Sequence, residues 1–337
     1  MEGPQLLVGV NARLDRVHTI IVREEANGGL RMMGEHRVRS ILQEADQASL
    51  VERVRTSIRE AMGDAQVKKE DLLTIGIATS GQIDYERGEI LFIPNLGLSN
   101  VPLAALLRED FPCHIALIND VGAQGIGEQR IGVGKHIKQL VYLYAGYGIG
   151  ASIIIDGELY TGADNLAGEF GHTTLDLHGP VCTCGNIGCL EVIASRSAIG
   201  RTLKALYKEG NETLLANLTD LTTPSWDINI ASISEAIDQE DALTIRVVEN
   251  AADAFGAGIA NIINFLNPHT IILGGDVIDE LDLYFERAIS SAKKRCLATN
   301  AKNVSIIRGM LGTTAGAYGA AVYSKHRLEQ LYQKDVR

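Results

Sequence analysis

Three cysteines, Cys182, Cys184 and Cys189, stand in one short loop. Thiolates at this spacing can share a metal ion if the chain turns tightly between them, and Gly185 and Gly188 permit such a turn. Zinc in a structural role takes four soft or borderline ligands in a closed tetrahedron. One imidazole would complete the set, and His172 and His178 both compete for that place. Four protein ligands leave no open position for water, which favours a structural zinc over a catalytic one. The plain alternative is three buried thiols without metal. The chain has 5 cysteines, an odd number clustered in this way, which is not the pattern of a secreted disulfide framework.

Further back, strand patterns appear at Leu6–Val10, Val17–Val22 and Met32–Val38. A helix follows at about 47–62, with Leu50, Val54 and Ile58 on one face. Leu73–Ala78 and Ile115–Ile118 read as further strands, with a helix near 101–110 between them. The pattern then restarts. A small-residue helix at 121–130 leads into strands at Leu140–Tyr144, Ile149–Ile155 and Glu158–Tyr160, with Asp156-Gly157 as a hairpin turn. Val248, Ala252, Phe255, Ile259, Ile262 and Leu266 form the buried face of a long helix ending at Asn267-Pro268. Strands at Thr270–Leu273 and Val304–Ile307 and a helix from about 313 close the chain, and the weakest region is about 208–232.

This duplication predicts two α/β domains with mixed sheets and a cleft between them. A length of 337 residues suits two domains of about 150 each. The expected division is residues 1–119 with about 313–337 as the smaller domain, and 120–312 as the larger one, with the zinc element at 169–191. The 35 glycines fall in short clusters such as Gly146–Gly150 and Gly274-Gly275, where backbone turns tightly or approaches a ligand. A net charge of -11 argues against direct binding to phosphate backbones, although a local basic patch remains compatible with it. No apolar run approaches the ~20 residues that span a bilayer. The start of the chain has no signal-peptide pattern, so the expected location is the cytoplasm.

The stretch from Cys182 to Glu191 matches C-x-C-G-x-x-G-C-x-E, and Glu169–His172 matches E-x-G-H. In these motifs, and in the order of its segments from Val8 to about Ala321, the chain strongly resembles the ROK family of sugar kinases and sugar-responsive repressors. The resemblance implies a two-domain, actin-like ATPase (ribonuclease H-like) α/β fold with an interdomain sugar cleft. It makes His172 the fourth zinc ligand. It also implies sugar contacts from Gly81, Asn95, Asn119, Asp120, Glu169, His172 and Glu191. Carboxylates and an amide suit vicinal hydroxyls, because such a set rejects ligands lacking those groups. In a kinase, Asp120 would be the general base that deprotonates the attacking hydroxyl. Its plainer role is to cap the helix beginning at Val121.

On the nucleotide side the chain departs from the kinases. Where they carry D-x-G-G-T, it has Asn11-Ala12-Arg13-Leu14-Asp15, which lacks the magnesium-orienting aspartate and both glycines. Asp15 places negative charge where a polyphosphate would lie. The second loop, Gly146-Tyr147-Gly148, carries a bulky ring in place of a threonine. The third, Gly274-Gly275-Asp276, carries an acid in place of a glycine. With the sugar motifs whole and the phosphate loops degenerate, the sequence favours a sugar-sensing regulator that has lost ATP chemistry. The other reading is a Mg-ATP-dependent hexose or N-acylhexosamine kinase with atypical loops. The expected partners are a small sugar or sugar phosphate and further copies in a homodimer or homotetramer. DNA contact is expected only through a winged helix-turn-helix absent from this chain, so the expectation is either a truncated effector module or a regulator that acts through partners.

Overall fold

The computed structural model describes residues 6–13, 16–26, 28–39, 46–93, 96–223 and 228–335. Asp15 and Asn95, both expected at ligand sites, lie outside them. The chain forms two compact units. One comprises the chain through Lys138, Ser152–Ala167 and the chain from Thr313, and the other comprises Gln139–Ala151 and Gly168–Gly312. The boundary expected at 119/120 thus falls at 138/139, and α3, described below, belongs to the first unit.

The first unit is built on β1 (Leu6–Ala12), β2 (Arg16–Glu24), β3 (Leu30–Arg39), α1 (Gln47–Ala65) and β4 (Leu72–Thr79). A small sheet follows, of β5 (Gln82–Asp84), β6 (Glu89–Ile93) and β7 (Leu98–Val101), and then α2 (Leu103–Arg108), β8 (His114–Asn119) and α3 (Asp120–Arg130). The main sheet runs β3-β2-β1-β4-β8, antiparallel through the meander and parallel from β1 to β4 to β8. Asp46 caps α1 by accepting from Ser49 N at 2.6 Å, and the helix buries Leu50, Val54 and Ile58. The spacing that predicted this helix is therefore the face that it buries.

The chain continues through β9 (Leu140–Ala145), β10 (Ile149–Ile155) and β11 (Glu158–Leu159). After the metal-ligand loop come α4 (Glu191–Ala194), α5 (Arg196–Lys208), α6 (Ile230–Asp238) and α7 (Ala242–Leu266). Next are β12 (Thr270–Gly274), α8 (Asp276–Glu280), α9 (Asp282–Arg295), α10 (Ala298–Asn303), β13 (Ser305–Arg308) and α11 (Ala315–Asp335). The second sheet runs β11-β10-β9-β12-β13, repeating the order of the first, and the unit boundary falls within β10. Asp156 (φ 55°) and Gly157 (φ 86°) form the expected hairpin turn, since both central residues of a type I′ turn need positive φ. Asp241 caps α7 by accepting from Thr244 N, and Asn267 ends it in the left-handed region (φ 47°) just before Pro268.

α11 lies against the first sheet at two glycines. A Cβ on Gly9 would come 1.9 Å from Ala317 O, and one on Gly76 would come 1.8 Å from Ala320 O. Any side chain there would push the helix off the sheet. Among the described residues no helix is long and apolar enough to cross a membrane.

Candidate functional site

The metal-ligand candidates belong to the second unit. A single 3-10 turn, Phe170–His172, sets His172, and the buried Phe170 ring anchors that turn in the core. Further along, Val181 and Ile187 bridge across a loop in which Gly185 (φ 90°) and Gly188 (φ 67°) take conformations closed to most side chains. Cys182 N donates to Asn186 O and Gly185 N to Cys182 O, so the loop folds back on itself. One ligand atom from each of His172, Cys182, Cys184 and Cys189 lies within 4.8 Å of the others, and His178 stands outside this group. His172 Nδ1 is 3.6 Å from Cys182 Sγ, and Cys184 Sγ is 3.7 Å from Cys189 Sγ. A tetrahedron with zinc–sulfur bonds of about 2.3 Å has edges of roughly 3.5–3.8 Å, so the donor set fits an ion of that kind. Without metal, burial pushes the Cys189 thiol up to about 12. The exposed Cys184 thiol is lowered, first by the Asn186 backbone N–H. A bound cation would displace the thiol protons.

His172 has two distinct edges. Nδ1 faces the thiols, while Nε2 lies 3.9 Å from Glu169 Oε2. The ring can thus bind metal with one nitrogen and meet a carboxylate or a ligand with the other. Cys189 leads through the fully buried Leu190 directly to Glu191, at the start of α4. Glu191 Oε2 accepts from Ile149 N at 2.9 Å, and a Cβ on Gly148 would come 2.4 Å from that oxygen. The glycine loop therefore supports Glu191, and one of its backbone donors is already engaged.

In the first unit, Asn119 caps α3, its Oδ1 accepting from Val121 N at 3.0 Å and Gly122 N at 3.2 Å. The cap expected of Asp120 belongs to its neighbour. Asp120 is the first helical residue, half-buried, and its Oδ1 accepts from Val121 N at 3.0 Å. Asn119 Nδ2 donates to the carbonyl of Gly81 at 3.4 Å, and Gly81 itself needs positive φ (96°). Asn119 thereby ties the loop after β4 to the end of β8.

The residues expected at nucleotide loops are placed as follows. Asn11 sits on β1, only 4% exposed, and among the described residues its Oδ1 has no hydrogen-bond partner. Arg13 N donates to Arg16 O at 2.9 Å. In the second unit, Tyr147 is 38% exposed, and the Arg196 guanidinium stands 5.9 Å from its ring centre. Arg196 also forms an ion pair with Asp276, directly after Gly274 and Gly275. A Cβ on Gly146 would come 2.6 Å from Asp276 Oδ1, so the loop and this acid are packed together. Sequence reasoning identified Asp276 as an intruding charge but missed Arg196, 80 residues away, which neutralises it.

Arg196→Ala is expected to lower stability to urea by roughly 2 kcal/mol, because it leaves a part-buried carboxylate unpaired. The Arg196→Ala/Asp276→Ala double variant should lose less than the sum of the single changes.

Comparison with known proteins gives a consistent assignment. The xylose repressor of Caldicellulosiruptor bescii is 30% identical over 308 residues, covering 89% of this chain and 73% of that protein. The glucokinase of Thermotoga maritima is 30% identical over 260 residues, covering 77% of this chain and 81% of its own length. Among solved structures, a ROK family glucokinase from Streptomyces griseus, in complex with glucose and AMPPNP, superposes with a TM-score of 0.81. That match is 27% identical and covers 95% of this chain and 99% of the kinase. The fold is thus the two-domain actin-like ATPase fold. Its relatives include both repressors and kinases. The ROK family model matches residues 20–327, and the chain belongs to the ROK family.

Proposed function

We propose that this chain is the effector-sensing part of a cytoplasmic, sugar-responsive transcriptional regulator that has lost ATP chemistry. The carrying observation is an asymmetry within the second unit. The His172–Cys182–Cys184–Cys189 set has tetrahedral spacing and runs directly into Glu191, whereas the glycine loop has an N–H committed to Glu191 and packs against Asp276. Zinc bound there is structural. It holds the turn that carries Glu169 and His172 and the segment that leads to Glu191. These side chains are the second unit's groups for sugar hydroxyls. Similarity to a xylose repressor and to a glucokinase supports a pentose or hexose as the ligand class. Sugar regulates only if it binds one conformational state better than another.

The test is calorimetric titration of the intact chain with xylose, glucose and N-acetylglucosamine. Saturable binding of at least one of them, without added nucleotide, is expected. Absence of binding to all three up to tens of millimolar would contradict the reading.

The alternative is a hexose or N-acylhexosamine kinase, and Asp120 favours it. The first-turn position gives its carboxylate a place from which a general base could act, and the Thermotoga relative is named a glucokinase.

A further inference from the structure

α3 and α11 cross backbone to backbone, since a Cβ on Gly319 would come 1.7 Å from Ala123 O. Beside the crossing, a cavity of about 230 Å³ opens between the two helices, the β10–β11 turn and the turn after β5. All of its walls belong to the first unit, and none of the residues assigned to sugar lines it. Its volume is below the roughly 300 Å³ at which drug-sized sites begin, so it suits a molecule of monosaccharide size. Ile126, Leu159 and Val322 form an apolar floor, in the small core cluster that includes Tyr323.

Two nearly buried polar side chains line this space, Gln129 (7% exposed) and Tyr323 (8% exposed). Among the described residues, neither the Gln129 side-chain amide nor the Tyr323 hydroxyl has a hydrogen-bond partner. Gln129 Nε2 would stand 3.9 Å from a Cβ on Gly157, on the cavity's β10–β11 wall. Burial pushes the Tyr323 hydroxyl up, so it stays protonated and both donates and accepts. A buried polar group without a protein partner is costly, and its companion is water or a ligand. The charges at the rim are matched. Arg327 binds Glu86 at 2.7 Å, and Glu158 takes both His326 Nε2 at 2.9 Å and Arg130 at 3.6 Å. Two guanidiniums facing two carboxylates leave no surplus of either sign to attract a charged ligand.

We infer that this cavity is a separate binding site for a neutral cyclic polyol of monosaccharide size. Gln129, Tyr323 and the half-buried Thr161 meet its hydroxyls, because each of these groups donates and accepts as a hydroxyl does. Ile126, Leu159 and Val322 take the C–H face of the ring. Ordered water would satisfy the polar groups as well, but it gains nothing from an apolar floor.

The test titrates glucose, xylose and myo-inositol into the intact chain and into Glu191→Ala. Saturable binding of at least one of the three is expected to survive in Glu191→Ala. Adding Gln129→Leu or Thr161→Val to that variant should weaken the surviving binding about tenfold. Gln129→Leu removes an amide without a protein partner, so thermal unfolding should occur no lower than in Glu191→Ala alone. Glucose 6-phosphate should bind the surviving site no tighter than glucose. Loss of all saturable binding in Glu191→Ala, equal affinity with and without Gln129→Leu, or a preference for the phosphorylated sugar would overturn the site. Sensitivity to Gln129 reads this cavity and sensitivity to Glu191 reads the proposed function, so the two can fail separately.

Discussion

Cys189→Ser is expected to strip the chain of metal and to cripple sugar binding with it. The wild-type chain should carry about one zinc and the variant almost none, because the ligand set leaves no substitute thiolate. Cys189 is fully buried, and its thiolate is one corner of the donor set. A serine hydroxyl there is a poor ligand and stays protonated, so zinc affinity should fall by more than about a hundredfold. The consequence then travels along the chain. Cys189 is two residues from Glu191, and His172 shares a turn with Glu169. Without metal these segments keep only packing and hydrogen bonds such as Ile149 N to Glu191, and sugar affinity should drop by at least about tenfold. Metal content by elemental analysis and sugar affinity by calorimetry measure both effects. Cys113→Ser is the control, since Cys113 is outside the cluster, and should leave metal unchanged. Unchanged zinc in Cys189→Ser would remove the metal assignment.

Glu191→Ala should have the next largest effect, a loss of about a hundredfold in sugar affinity. The carboxylate has two tasks. One oxygen accepts from Ile149 N, fixing the side chain against the glycine loop. In the proposed site the rest of the group receives sugar hydroxyls, and a carboxylate acceptor makes stronger hydrogen bonds than a neutral one. Glu191→Gln separates these tasks, because the amide oxygen can still accept from Ile149. That variant should bind sugar about tenfold more weakly than wild type with its fold intact. Wild-type affinity in Glu191→Gln would reduce Glu191 to a structural brace.

The legibility of the molecule followed the range of its interactions. The strands of both large sheets, α1 and α7 are local patterns, and residues such as Val54 and Phe255 lie on the buried faces that their spacing predicts. Gly185 and Gly188 likewise announced the turn that gathers the cysteines. Other features had no local signature. The β5-β6-β7 sheet is made of strands too short for alternation to register. α9 buries Tyr284, Ala288, Ser291 and Ala292, correct helical spacing hidden by small and polar residue types. Asn119 and Asp120 are both good caps, and adjacency alone could not say which one caps α3. The Arg196–Asp276 pair joins elements distant in sequence, so no spacing rule could find it.

The central claim is recognition of sugar without phosphoryl transfer. Its most direct test is a calorimetric titration of Mg-ATP into the zinc-loaded chain, with and without saturating sugar, paired with an assay for sugar phosphate. The account predicts sugar binding with no saturable Mg-ATP binding and no turnover. Micromolar Mg-ATP binding together with phosphorylation of glucose, xylose or N-acetylglucosamine would contradict it and would make Asp120 the catalytic base of a kinase.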